Sequence, residues 1–371
     1  MNAVGIICEY NPFHNGHLHH IEETRKSFPD ATIVLILNGY FLERGEISIL
    51  SKYDKALIAL KYGVDLVIEL PFVFGTQSAD TFARRSIELL HNLKVNKLVF
   101  GSESNDISML KGITNIQLYD HEYSDRVKYY LDQGVNYPTA LAKSLNIGGF
   151  EFLPNDLLGI SYIKAIEERN YKITPYTIKR TSGYHDTESN ETIVSASNIR
   201  KKLNELEDIT PFIPENVFPF INKPNELLFF QLLKYKIIAS KDLSIYLDVD
   251  EGIEHRLKEK ILECKNLEDF VQAIKTKRYT YNKIKRMLLH ILIGLTKKDN
   301  EKLEYDYIHI LGFTKKGQEH LYQIKKEMLL SFNIDYKSKI YFYEKQACLI
   351  YDLIMNTNEF YKENMNKPII E

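Results

Sequence analysis

Residues 5–23, GIICEYNPFHNGHLHHIEE, decide how the chain is read. An apolar run ends near Cys8, the turn NPFHNG follows, and a helix is expected from about Gly16. Strand, turn and helix in that order open a parallel α/β sheet. His14 and His17 stand three residues apart, so with His17 in the first helical turn both imidazoles can face the space above the strand's C-terminal end. Unpaired backbone N–H groups and the positive end of the helix dipole favour phosphate there, and Gly16 lets the backbone approach closely. Two imidazoles beside those donors suit displacement at phosphorus, which points to nucleotidyl transfer by positioning and charge stabilisation. An isolated His-x-x-His on a helix is more often a surface pair; its place after the opening strand of a parallel sheet selects the functional reading. Zinc is the competing use, but the spacing is not HExxH and no nearby carboxylate completes a ligand set, so no metal ligand is assigned. His19 and His20 follow directly and are expected on the helix surface.

Working outward, residues 3–8 (AVGIIC), 32–37 (TIVLIL), 65–70 (DLVIEL) and 97–102 (KLVFGS) are continuous apolar runs, the pattern of strands buried on both faces. Residues 18–28, 51–63 and 77–93 between them carry helical periodicity. The predicted fold is α/β, a doubly wound parallel sheet over 1–206, followed by a mainly α-helical domain. Pro211, Pro214, Pro219 and Pro224 mark 207–225 as a proline-rich linker. From 226 to 371 glycine is scarce and apolar residues take helical spacing, as in NELLFFQLLKYKII and NKIKRMLLHILIGL.

The chain has 371 residues, 44% hydrophobic and 26% charged, which excludes a disordered or collagen-like protein and supplies sizeable cores. A net charge of −2 gives no global field for nucleic acid, so any RNA contact must be local. Cys8, Cys264 and Cys348 form no CxxC pair, and neither a disulfide framework nor a structural zinc site is indicated. The N-terminal run carries no basic leader and the longest apolar stretch, 287–295, is about half a membrane span. A cytoplasmic protein without membrane anchoring is expected.

At these residues the sequence resembles the HxGH nucleotidyltransferase superfamily, and VGIICEYNPFHNGHLHH resembles one branch of it, the bacterial tRNA(Met) cytidine acetate ligases. NGYFLERGE, SKYDKALIALKYGVDLVIELPF, QSADTFARRSIELL, LVFGSE, LPNDLLGISYI, YTIKRTSGYHD, SASNIRKKL, YNKIKRMLLHILIGL and IHILGFTKKGQ look like further family segments in family order. The resemblance implies an enzyme that joins acetate and ATP into acetyl-adenylate, releases pyrophosphate, and acetylates N4 of the wobble cytidine of elongator tRNA(Met). It implies an ATP site built from Ile7, Cys8, Glu9, Tyr10, Asn11, Pro12, Phe13, His14, Asn15, Gly16, His17, Leu18, His19 and His20, with Gly101, Asn155 and Arg180. Absence of a side chain at Gly101 would admit a nucleoside, Asn155 offers donor and acceptor, and Arg180 is a permanent cation. SASNIRKKL resembles the superfamily's second signature, in which Ser195 and Ser197 would donate to phosphate and Arg200 would neutralise pyrophosphate; a serine N-cap is the plain reading of the same residues. In NGYFLERGE, Tyr40, Arg44 and Glu46 would shape the acetate or acceptor pocket, with Gln77 and Asp80 beyond. Glu43 stands where the family usually has glutamine, and Ile47–Ser48 where it has Pro-Ala. Magnesium is expected with ATP.

The expected tRNA surface lies between 275 and 286, where Lys275, Lys277, Arg278, Lys283, Lys285 and Arg286 alternate with Tyr279 and Tyr281 and no acid intervenes. Charge reversal at Lys283 and Arg286 is expected to weaken tRNA binding and spare ATP and acetate activation. Lys315 and Lys316 form a second small basic loop. Two other functions fit the same motif: a small-molecule adenylyltransferase of coenzyme synthesis, which needs no basic helical unit, and a non-catalytic RNA-binding module.

Overall fold

The structure, a computed structural model, describes residues 2–135, 137–145, 152–180, 192–276, 278–365 and 367–371. At its centre are five parallel strands, β1 (Ala3–Cys8), β2 (Thr32–Asn38), β3 (Leu66–Leu70), β4 (Lys97–Ser102) and β5 (Thr174–Lys179), in spatial order β5-β4-β1-β2-β3. Alternate residues feed two cores. Val34, Ile36, Leu66 and Ile68 join the core that holds Phe82, Ile87 and Leu90 of the helix Ala79–Asn92. Val4, Ile6, Ile33 and Leu35 join the one that holds Ile21 of the helix Asn15–Ser27. Burial on both faces is why these strands read as unbroken apolar runs. The chain winds out from β1 through β2 and β3, then returns to its other side with β4 and β5. The crevice at the carboxyl ends of β1 and β4 is therefore the topological switch point, where open α/β sheets bind ligands.

Three differences from the sequence reading have physical causes. Strand β5 was not anticipated: TPYTIK contains Pro175 and lies at the sheet edge, where only Pro175 is fully buried. The stretch 226–371 is mainly helical as expected, but it also extends the same sheet with β6 (Ile310–Phe313), antiparallel to β3, and β7 (Ile369–Ile370), parallel to β6. Runs of four and two residues are too short to show a period of two. The proline-rich stretch 207–225 folds into 3-10 turns at Thr210–Phe212 and Glu215–Phe220, and Ile209, Ile213 and Val217 are buried in the same core as Val4 and Ile6.

The segment GFTKKG ends β6 and opens the helix Lys315–Ile324. Lys316 Nζ donates to Ala31 O at 2.8 Å, so the expected basic loop has one of its two lysines bound to the protein. Gly317 is packed so tightly that a Cβ there would lie 2.0 Å from Asp65 O, which is backbone and cannot yield. Gly317→Ala should therefore lower the unfolding free energy by about 1–3 kcal/mol, read as a reduced urea midpoint at unchanged m-value.

Candidate active site

His14 is the N-cap of the helix Asn15–Ser27, with extended backbone angles. Its Nδ1 accepts from Gly16 N–H at 3.0 Å, and its own N–H donates to His17 Nδ1 at 3.2 Å. Two histidines thus form a reciprocal cap, the role usually taken by Ser or Thr with Glu. The rings lie 3.8 Å apart, 30° from parallel. Because each Nδ1 accepts from a backbone N–H, the proton of each neutral ring sits on Nε2, leaving Nε2–H as its donor. Burial, reinforced by Arg180 and Arg200, pushes the His14 pKa down to about 3, and burial with His14, His20 and Arg180 nearby holds His17 well below its ordinary value. Both rings are therefore neutral donors at pH 7, and the positive charge along the cavity comes from Arg44, Lys179, Arg180 and Arg200.

The depressed pKa values set a pH dependence. Below about 6.5 the unfolded chain takes up protons that the folded rings refuse, so stability falls with decreasing pH until the folded pKa, about 3 for His14 and about 4 for His20, is reached. The urea midpoint should drop between pH 7 and 4.5. His14→Asn, which keeps an N-cap acceptor, should remove up to one proton from that slope, about 1.4 kcal/mol per pH unit.

The two rings line a cavity of about 270 Å³ at the switch point. Of the residues expected at the ATP site, Ile7, Cys8, Glu9, Tyr10, Asn11, His14, Gly16, His17, His19, His20, Gly101, Asn155, Arg180, Ser195, Ser197 and Arg200 line it. His19 and His20 are half-buried in its wall, where a free helix surface was expected. Pro12, Phe13, Asn15 and Leu18 do not line it. Phe13 is core, stacked on Tyr62 at 5.3 Å, and Leu18 packs beside it. Asn15 Nδ2 donates to Thr192 O and Pro211 O, both at 2.9 Å, anchoring distant segments to the start of the helix.

The arginines are held by the protein. Asn155 N and Nδ2 donate to Glu103 Oε1 at 3.2 and 2.6 Å, while Asn155 Oδ1 accepts from Arg180 Nη1 at 3.4 Å. Asn155 thus links Glu103 to Arg180 on the cavity wall. A Cβ on Gly101 would meet Arg180 Cγ at 3.4 Å, an ordinary contact, so no close protein neighbour demands glycine there. Ser195 caps the helix Ala196–Asn204, its Oγ accepting from Asn198 N at 3.2 Å, which is the plain reading of that serine. Arg200 Nη1 donates to Asn11 O and Nη2 to Glu46 Oε2, both at 2.7 Å, tying the His-x-Gly-His turn to the loop after β2.

A family model described as HIGH Nucleotidyl Transferase matches residues 1–367. The tRNA(Met) cytidine acetate ligase of Geobacillus sp. (strain WCH70) is 38% identical, with 100% of each chain covered. That of Bacillus subtilis (strain 168) is 35% identical over 100% of this chain and 94% of its own. The chain belongs to the tRNA(Met) cytidine acetate ligase family. The crystal structure of Thermotoga maritima TmcAL bound with alpha-thio ATP superposes with a TM-score of 0.85 at 29% identity, covering 100% of this chain and 99% of that one. Its apo form gives 0.89, again at 29% identity and with the same coverage.

The residues expected around an acyl pocket divide. Arg44 and Glu46 line the cavity, as does Glu43. Tyr40 is buried away from it, against Tyr351 at 4.5 Å with Lys52 Nζ over its ring at 4.9 Å. Gln77 Nε2 donates to Val73 O at 2.8 Å and Asn300 Oδ1 at 3.0 Å, a structural tie between helices. Asp80 accepts from Ser161 Oγ at 3.1 Å, outside the cavity. Sequence reading missed an apolar wall of Leu42, Phe82, Phe100, Leu158 and Tyr162. A signal existed for two of these: Leu158 and Tyr162 follow Asn155 at i+3 and i+7, one face of the helix Pro154–Glu168.

The expected tRNA patch also divides. Lys275 and Arg278 are exposed, Lys283 Nζ lies 4.3 Å from the centroid of the Tyr279 ring, and Lys277 lies outside the described residues. Lys285 and Arg286 instead turn to the loop after β2, Lys285 Nζ 3.8 Å from Glu46 Oε1 and Arg286 Nη1 3.4 Å from Glu43 Oε1. Gly45, at φ +73°, presses on their backbone, since a Cβ would lie 2.5 Å from Arg286 N. Burial lifts Glu43 to about 7, Arg286 opposing and Glu9 reinforcing the rise. Reversal of Lys283 should weaken tRNA binding alone. Arg286→Glu, in contrast, should place a carboxylate against Glu43, displace the cavity wall and slow acetate activation by about tenfold, measured as acetate-dependent ATP–pyrophosphate exchange.

Proposed function

We propose that the chain is an ATP-dependent ligase that acetylates N4 of the wobble cytidine of elongator tRNA(Met). Acetate oxygen attacks the α-phosphorus of ATP, pyrophosphate leaves, and the N4 amine then attacks the carbonyl of acetyl-adenylate, releasing AMP. The observation that carries the reading is the reciprocal histidine cap on the wall of a cavity that also holds Arg180 and Arg200. Neutral Nε2–H donors at a helix N-terminus are fixed before charge develops, so they stabilise the transition state without reorganising. Phosphate would compete with Glu46 for Arg200 and bring its charge onto pyrophosphate.

Residues 1–206 would then activate acetate and 226–371 present the RNA, with Lys275, Lys277, Arg278 and Lys283 as its phosphate contacts. Magnesium would arrive on the nucleotide's own phosphates, as it does in many sites that keep its waters. The one buried carboxylate–histidine group found among the described residues, Glu69, His309 and Glu363, already has Lys52 Nζ at 2.6 and 2.7 Å from its carboxylates and is not offered as a metal site. No helix among the described residues is long and apolar enough to cross a membrane, and a cytoplasmic location suits a tRNA substrate. Incubation with labelled acetate, ATP and transcript tRNA(Met), then digestion to nucleosides, should place the label in N4-acetylcytidine. AMP found joined to a small phosphate acceptor instead would identify a coenzyme adenylyltransferase.

A further inference from the structure

A second cavity, of about 240 Å³, lies on the other side of the loop after β2. Ile49, Phe229 and Leu288 are buried in its walls, and Leu267 of the helix Leu267–Ile274 is half-buried at its side. It shares two residues with the first cavity, Glu46 and Arg200, whose ion pair at 2.7 Å stands between them. Lys223 and Lys285 are its other cations. Its volume is close to that of the first cavity, so its apolar lining, and not its size, is what favours a base.

We infer that this cavity is the slot for the target cytosine base of the nucleic acid, with Glu46 receiving its exocyclic amine; the inference rests on the ligase reading above. Apolar walls suit a base taken out of its stack, and the lysines suit the phosphates that stay outside. Cytosine presents N4 as a donor, which a carboxylate accepts, whereas uracil presents an acceptor at the same place and is repelled. A base so held has its amine at the partition shared with the cavity where the acyl phosphate would form. Triphosphate drawing Arg200 away from Glu46 opens Oε2 to N4 while Lys285 Nζ stays 3.8 Å from Oε1, so nucleotide binding prepares the slot for the base.

The test uses the full chain and labelled 5′-CMP, dialysed to equilibrium with ATP in excess so that the first cavity is filled. Saturable binding is expected, at least tenfold weaker for 5′-UMP and at least tenfold weaker in Leu267→Trp, whose indole occupies the slot. Absence of saturable 5′-CMP binding, equal binding of 5′-UMP, or undiminished binding by a folded Leu267→Trp would overturn the inference. In the same variant, acetyl transfer to tRNA should fall at least a hundredfold while acetate-dependent ATP–pyrophosphate exchange stays within twofold of the unmodified chain. Transfer at the unmodified rate would also overturn it. The comparison of 5′-CMP with 5′-UMP on the unmodified chain decides the matter should the tryptophan variant not fold. If the unmodified chain shows no acetate-dependent exchange, the ligase reading fails, while selective 5′-CMP binding still reports on the slot.

Discussion

Replacement of His17 by alanine lowers acetate-dependent ATP–pyrophosphate exchange by a hundredfold or more, equivalent to about 3 kcal/mol of transition-state stabilisation. The residue contributes twice. Its Nε2–H is one of the donors in the cavity, and its Nδ1 accepts the N–H of His14 at 3.2 Å, which fixes where His14 sits. His14→Asn separates capping from catalysis at the other ring, because asparagine still accepts from Gly16 N–H but has no imidazole donor. Its thermal stability at pH 7.5 should change little while its exchange rate falls as far as that of His17→Ala. The double variant should be little worse than either single one, since groups that stabilise one transition state together are not additive. Measured single-variant rates within fivefold of the unmodified chain would remove these rings from the chemistry.

The largest loss of stability is expected elsewhere, at Lys52→Met. Lys52 is 0% exposed, and its ammonium lies 2.6 Å from Glu69 Oε1 and 2.7 Å from Glu363 Oε2. His309 Nδ1 sits 2.5 Å from the other Glu69 oxygen. These groups come from the helix Lys52–Lys61, β3, the segment before β6 and the helix Glu359–Met365, so one buried ion cluster joins the two ends of the chain. Methionine keeps the length of the side chain and removes the charge, leaving two buried carboxylates facing each other. Breaking a buried pair in this way costs about 3–5 kcal/mol. Adding Glu363→Gln should recover part of the loss, giving a coupling energy of at least about 1 kcal/mol in a double-mutant cycle. A Lys52→Met chain that unfolds within 1 kcal/mol of the original would show that water or protonation compensates the cluster.

The first four strands and the His-x-Gly-His turn were legible because their signals are local. Continuous apolar runs report burial on both faces, and a helix cap is complete within four residues. Arg286 was not legible. Beside Lys283 and Lys285 it reads as one of a row of surface cations, yet its partner Glu43 is 243 positions away in the chain. Asn155 lies in the cavity wall as its motif implies, but nothing in LPNDLLG foretells that Glu103 and Arg180 engage its amide.

By itself the sequence determined the parallel sheet, the place where its ligand crevice opens, and two histidines at the first helix terminus, because periodicity and capping are settled between near neighbours. Only the tertiary structure decided that the C-terminal stretch completes the sheet, that Arg200 and Glu46 meet across 154 positions, and that the loop after β2 has a cavity on each side. Those outcomes depend on which distant surfaces bury one another, and a single chain of residues carries no local mark of that choice.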